Sequence, residues 1–271
     1  MNDEYVKLVS WNVEGLTELK TLEICLYMKE HDIDVACVQE TWSSASTSYD
    51  ADGGYRVMLS SQTGQDTGHT GVGFIVSPLA KKNVIKFIPV SGRTCSLTLK
   101  CRQGNLNLLG VYAPHNHRPE ADELAFYDEL DSHWQRLPSF GLRLILGDLN
   151  ARIGKQRPGE EEIVGDKGFG NEVTSRVEPA NRDLLMEFCW SQQLLIANTF
   201  ADVSDEEKVT YRELGVEPMR SVSATGFSVL DFYLQSCKPC EYDQTDLPAD
   251  TFGTTLRAAG LWRSPTERQG V

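Results

Sequence analysis

The sequence predicts an α/β fold in which two packed β-sheets are covered by helices. Three observations predict it. Short apolar segments rich in β-branched residues recur along the 271 residues and are separated by polar, Gly-containing turns. Three longer stretches space their apolar residues for a helix rather than for alternation. A few connections are long crossovers, as layered sheets require and hairpins do not.

Taken in order, strands are expected near 5–11, 34–39, 55–60, 71–77, 84–90, 94–101, 105–112, 142–147, 194–198, 209–213 and 228–235. A helix follows the first strand, carried by Leu19, Leu22, Ile24, Leu26, Tyr27 and Met28. A second is carried by Leu124, Phe126, Tyr127, Leu130, Trp134 and Leu137. The third spans 182–192, with Leu184, Leu185, Phe188 and Cys189 on one face. Pro78-Leu79 and Pro114-His115-Asn116 read as turns. Segment 154–180, rich in Gly and Glu and without periodicity, reads as a long surface loop, a class of loop that is usually functional or disordered. With no internal repeat and no linker, one domain is expected over 1–236. The polar tail 237–271 is expected to be poorly ordered.

Composition narrows the function classes. A hydrophobic content of 40% with 24% charged residues is ordinary for a globular protein, and no apolar run approaches the ~18 residues a membrane span needs. The opening Met1-Asn2-Asp3-Glu4-Tyr5 has neither a basic region nor an apolar stretch. An intracellular, non-secreted protein is therefore expected, and a nuclear one would suit a DNA substrate. Seven Cys, an odd count set among apolar neighbours, are read as reduced buried thiols. Cys237 and Cys240 have CxxC spacing but no second pair and no nearby His to complete a zinc site. A net charge of −13 disfavours generic nucleic-acid binding, because phosphate contacts dominate such affinity. It leaves room for a nucleic-acid substrate, since some of the acids can serve a metal.

Four strand-like segments deliver polar groups. Val6 to Asn12 ends in an amide, Val35 to Glu40 ends in an acid, and Leu144-Ile145-Leu146-Gly147-Asp148-Leu149-Asn150 ends in an acid and an amide. Val229 to Leu234 carries Asp231 within an apolar strand. Such groups at a sheet edge face a pocket, and their oxygens suit a hard divalent cation. Taken singly, each has a bland explanation. A Glu after a strand is usually a surface charge, Asp-x-Asn usually forms a turn, and a strand-end Tyr usually belongs to the core.

Their order outweighs those explanations. Ser10-Trp11-Asn12-Val13-Glu14-Gly15-Leu16, Val38-Gln39-Glu40-Thr41-Trp42, Gly110-Val111-Tyr112-Ala113-Pro114, Gly147-Asp148-Leu149-Asn150-Ala151-Arg152 and Leu230-Asp231-Phe232-Tyr233 resemble successive motifs of the endonuclease/exonuclease/phosphatase superfamily. Further segments, Gly71 to Pro78, Asn181 to Cys189, Ala197 to Phe200 and Val209 to Arg212, resemble the apurinic-type endonuclease domains of non-LTR (LINE-like) retrotransposons and the domesticated proteins derived from them. The resemblance implies a four-layered α/β sandwich, with two mixed β-sheets face to face and helices outside.

It also implies roles. A phosphodiester is an anion that resists attack by water, and a divalent cation, Mg²⁺ or alternatively Mn²⁺, lowers that penalty. Glu40 would be the principal metal ligand, with Asn12 beside it. Asp148 would orient or deprotonate the attacking water, and Asn150, read as lying two residues on and on the same strand face, would donate to a phosphate oxygen. Tyr112 would donate to the phosphate or leaving group. Arg93 and Thr210 fall where substrate-supporting roles are implied, while His69, in a polar loop, is given none.

The sequence departs from the family in one respect. Members end in a Ser-Asp-His motif after the strand that carries Asp231, and none of the five His here follows Asp231. The final strand of the sheet is also expected to be missing, which leaves the pairing role of Asp231 in question. His115 or His117, in the loop after Tyr112, is placed to substitute. The resulting expectation is a Mg²⁺-dependent, DNA-nicking phosphodiester hydrolase of retrotransposon type, monomeric and without an identifiable protein partner. Alternatives are a phosphatase acting on an inositol phosphate or phospholipid headgroup, and an inactive fragment or interaction module.

Overall fold

The computed structural model describes residues 6–61, 69–102, 104–115, 118–170, 180–208, 210–212, 227–229 and 231–236. The expectations for the tail and the lost final strand lie outside those residues, as does His117. Thirteen strands and five helices are described, and the two large sheets are both mixed. The first sheet contains β1 (Leu8–Asn12), β2 (Val35–Gln39), β3 (Thr47–Asp50), β4 (Arg56–Ser60) and β5 (Val72–Val76), in the spatial order β1-β2-β5-β4-β3. The second contains β6 (Val84–Pro89), β7 (Thr94–Cys101), β8 (Gly104–Tyr112), β9 (Leu142–Asp148), β10 (Leu194–Ile196) and β13 (Asp231–Ser236), in the order β10-β13-β9-β8-β7-β6. β11 (Tyr211–Arg212) and β12 (Phe227–Ser228) form a separate ribbon. The helices are α1 (Glu18–Glu30), α2 (Pro78–Lys81), α3 (Glu120–Arg136), α4 (Ala180–Gln192) and α5 (Asp205–Lys208).

Three apolar clusters set the layers. Leu8, Val35, Cys37, Val72 and Phe74 of the first sheet meet Cys95, Leu97, Leu108, Leu144 and Leu146 of the second, so the sheets pack face to face. The other face of the first sheet, with Val9, Ala36, Val38 and Ile75, is covered by Ile24, Cys25 and Met28 of α1. The other face of the second sheet, with Leu109, Val111 and Ile145, is covered by Phe126, Leu130 and Trp134 of α3 and Leu185, Phe188 and Cys189 of α4. The result is the four-layered α/β sandwich. Where both faces of β8 and β9 are buried, toward their carboxyl ends, the strands read as apolar runs (108–111 and 144–146), whereas their first residues alternate with Asn105, Asn107 and Arg143.

The parallel pairs matter most for function. β1 pairs parallel with β2, the two being joined through α1, and β8 pairs parallel with β9, joined through α3. Each βαβ crossover returns the chain to the same side, so the carboxyl ends of all four strands lie on one edge of their sheets. Thr17 starts α1 as its N-cap, its hydroxyl accepting from the Lys20 amide at 3.2 Å.

Several local expectations are corrected. Leu19, Leu22 and Leu26 point outward on α1, and the buried stripe is Thr21, Ile24, Cys25 and Met28. The helix is apolar on several sides, so spacing alone does not select the face. β3, Thr47-Ser48-Tyr49-Asp50, is wholly exposed and lacks the apolar alternation that marks a strand in sequence. The segment 228–235 divides into β12 and β13. The loop after residue 154 is not all surface: Ile163 and Val164 are buried in the core, and Val164 bridges to Ile196. Of the seven cysteines, Cys25, Cys37, Cys95, Cys101 and Cys189 are described, and all are free thiols.

Candidate active site at the common strand edge

Asn12 closes β1, Glu40 follows β2, Tyr112 closes β8 and Asp148 closes β9. The two βαβ units carry all four to one edge, where they meet across the sandwich. Asn12 Nδ2 donates to Glu40 Oε1 at 2.6 Å and to Asp148 Oδ2 at 3.3 Å, linking residues 136 positions apart. The Tyr112 hydroxyl donates to the same Glu40 oxygen at 2.9 Å. Asp148 is buried, and its Oδ1 accepts from the Asn150 amide at 2.9 Å, which fixes the carboxylate.

Asn150 stands beyond the end of β9 with φ +47°, so it is turned off the strand rather than sharing a strand face with Asp148. Its side-chain amide donates to Ala113 O at 2.9 Å, leaving Oδ1 as an acceptor. Arg93 lies beneath the cluster. Its Nη1 donates to Tyr112 O at 3.1 Å, and its guanidinium sits 5.1 Å from the Tyr112 ring centroid. β13 enters the sheet at this edge, with Asp231 the register partner of Asp148. Thr210 is half-buried just before β11 in the small ribbon.

His115 joins the cluster, as the loop after Tyr112 suggested. Its Nε2 lies 2.7 Å from the Tyr112 hydroxyl and 4.0 Å from Glu40 Oε1, and its Nδ1 lies 3.2 Å from Asn150 Oδ1. Asn150 Oδ1 can only accept, so Nδ1 carries a hydrogen. Nε2 then either accepts the Tyr112 proton or, when itself protonated, donates to Tyr112 while Tyr112 donates to Glu40.

Burial, and next the charge of Glu40, push the Tyr112 phenol far above its ordinary value, so it remains a protonated donor. The left-handed backbone also concentrates here. Of seven non-Gly residues with positive φ among those described, Glu14, Glu40, Trp42, His69 and Asn150 belong to loops of this edge, whereas Asp32 and Gln193 follow helices. Such strain collects at functional sites. Gly147, just before Asp148, has φ +146°, and a Cβ there would lie 2.0 Å from Val111 O, so glycine alone lets β8 and β9 approach.

Sequence reasoning gave no role to Asn181 and Arg182 at the start of α4. Asn181 Nδ2 donates to Pro114 O at 3.0 Å and Asn150 O at 3.3 Å, tying together the two loops that carry His115 and Asn150. Arg182, buried, clamps both oxygens of Glu160 at 2.9 Å and the carbonyl of Ile153 at 3.1 Å. The available signal was an amide and a cation opening a helix directly after a long loop.

The cluster fits a hard cation. Its donors are carboxylate, amide and hydroxyl oxygens with the His115 imidazole and no thiol, and among the described residues the contacts of Glu40 all use Oε1, which leaves Oε2 to ligate. Among the described residues no group of three or more His, Cys, Asp or Glu forms a cage. Mg²⁺ needs none, because it keeps several waters and takes one or two carboxylates.

The fold gathers acids and amides at the carboxyl ends of facing sheets, on one edge of the sandwich. The sequence profile of the Endonuclease/Exonuclease/phosphatase family matches residues 9–182, and the chain belongs to that family. It is 28% identical over 193 residues to Craniofacial development protein 2 of Bos taurus, covering 70% of this chain and 30% of that protein. The match to the Tragulus javanicus protein of the same name is 28%, covering 31% of its length. The chain thus spans less than a third of these relatives. Among solved structures, the catalytic domain of Xenopus laevis APE2 superposes with a TM-score of 0.59 at 17% identity, covering 86% of this chain and 82% of that one. The AP endonuclease LMAP of Leishmania major gives 0.58 at 16%, covering 86% and 79%. The endonuclease domain of TRAS1, a telomere-specific non-LTR retrotransposon, gives 0.52 at 13%, covering 86% and 85%. No helix among the described residues is long and apolar enough to cross a membrane.

Proposed function

We propose that this protein is a divalent-cation-dependent phosphodiester hydrolase that nicks DNA. The observation that carries the reading is the convergence of Asn12, Glu40, Tyr112 and Asp148, from both sheets, on one hydrogen-bonded cluster. The AP endonuclease LMAP and the retrotransposon endonuclease domain that share its fold support DNA as the substrate and a retrotransposon-type ancestry. A nuclear location and a monomeric state accord with this role.

Glu40 and Asn12 would hold Mg²⁺, with Mn²⁺ an alternative. When bound, the cation would offset the negative charge of the phosphoryl group and polarise it toward attack. Asp148, immobilised by the Asn150 amide, orients the attacking water and takes its proton. Tyr112, kept protonated, donates to a phosphate oxygen or to the leaving oxygen. His115 bridges Tyr112 and Asn150, Arg93 supports Tyr112 from beneath, Thr210 would contact substrate, and Asp231, the register partner of Asp148 on β13, would be a further catalytic carboxylate.

The test is conversion of supercoiled plasmid to the open circle by the purified chain. Nicking with Mg²⁺ and none with EDTA is the expected result. A folded sample that leaves plasmid intact but hydrolyses inositol phosphates would replace the nuclease with the small-phosphate reading. One inert toward both would be an interaction module.

A further inference from the structure

Trp42 and His69 lie beside the catalytic cluster, yet nothing in the chemistry described so far uses them. Trp42, two residues beyond Glu40, is 44% exposed, and His69 is exposed as well. Their rings lie against each other at a tilt, with centroids 4.5 Å apart and 33° between planes. Both residues hold left-handed backbone, φ +53° and +45°. A bulky side chain rarely adopts that conformation, and it persists only where its surroundings impose it.

Those surroundings are visible. The Trp42 amide donates to Thr70 O at 2.9 Å, the Thr41 amide to Gly71 O at 3.2 Å and the Gly15 amide to Glu40 O at 2.7 Å. The indole rests against Gly15, where a Cβ would stand 2.5 Å from its Cε3 atom. Lys20 Nζ in turn grips the Gly15 loop through Val13 O at 2.6 Å and Glu14 O at 2.8 Å. Three loops thus converge to present two packed rings to solvent next to Glu40.

We propose that the Trp42–His69 pair is a stacking platform for a nucleobase flanking the phosphate held at the active site. This rests on DNA being the substrate. A chain of net charge −13, with Glu14 and Glu40 nearby, has little capacity to grip DNA by phosphate contacts. Stacking is uncharged and tolerant of sequence, since every base has a π-face. The platform supplies affinity where charge cannot.

The test is oligonucleotide binding in EDTA, where no cleavage occurs, read by tryptophan fluorescence of the wild type and Trp42→Phe. The expected result is quenching that Trp42→Phe removes from the difference signal. Trp42→Ala and His69→Ala should each weaken binding by about tenfold, with the slope of log K against log salt unchanged because no phosphate contact is lost. In plasmid nicking the same variants should raise KM and leave kcat alone.

Quenching that survives Trp42→Phe, or no binding of the oligonucleotide, would overturn the platform. So would Trp42→Ala and His69→Ala proteins that bind as wild type does. Quenching by a protein that nicks nothing would leave the platform standing and remove the hydrolase reading. Nicking without quenching would do the reverse. Trp42→Phe, which retains an aromatic ring, keeps the test valid if Trp42→Ala does not fold.

Discussion

Tyr112 is where the two sheets share a proton, and its surroundings decide how it behaves. Its hydroxyl faces both Glu40 and His115, and burial followed by the Glu40 charge raises its pKa far above the ordinary 10.0. The folded chain therefore retains a proton that the unfolded chain releases. The resulting stability is complete below about pH 10 and is lost as pH rises beyond it. Alkaline titration followed at the tyrosinate absorbance should leave Tyr112 and the buried Tyr127 un-ionised until the chain unfolds. Tyr112→Phe should slow nicking by about 10²-fold, the usual loss for one transition-state donor, measured in single turnover at fixed Mg²⁺. The residues at this edge were legible because each ends or follows an apolar strand: a strand that runs Val-Leu-Ile and stops at Asp or Asn announces an edge. The contact of His69 with Trp42 was not legible, because it joins two loops whose approach no local pattern encodes.

At the scale of elements, the site depends on supports that touch no substrate. Arg182 is a buried cation whose partner Glu160 belongs to the loop that follows β9. Removing one member of a buried pair strands the other, at about 3–5 kcal/mol. Arg182→Ala should lower the urea midpoint accordingly, and Arg182→Met with Glu160→Gln should recover part of the loss. Gly147→Ala should be worse than any surface change, because a Cβ would collide with Val111 O between two central strands. Little soluble protein, or loss of a cooperative melt, is the expected outcome. Strands with buried apolar runs could be read from sequence almost end to end. β3 could not, because it is held by pairing with β4 rather than by burial, and α2 could not, because four residues carry no period.

For the whole molecule, the two parallel pairs explain why one edge holds the candidate site: each crossover helix sends its strand back in the same direction, so four strand ends coincide. The sequence implied two covered sheets through its crossovers and helical patterns, but how the sheets face one another is fixed by which alternate residues are buried between them, visible only once both are folded. A charge of −13 predicts a shallow salt dependence of DNA binding, a log–log slope of about −2 to −4, in keeping with few phosphate contacts at about −0.9 each. A steeper slope in a salt titration would reveal a basic surface outside this account. The central claim is that Glu40 serves a cation while Asp148 serves the water. Plasmid nicking titrated with Mg²⁺ for the wild type, Glu40→Gln and Asp148→Asn, each confirmed by a cooperative melt, tests it directly. Glu40→Gln should require about tenfold more Mg²⁺ or above, since a charged ligand is lost. Asp148→Asn should lose about 10²-fold or more in rate with its Mg²⁺ midpoint unmoved. Nicking that needs no Mg²⁺, or a folded Asp148→Asn protein as active as the wild type, would contradict it.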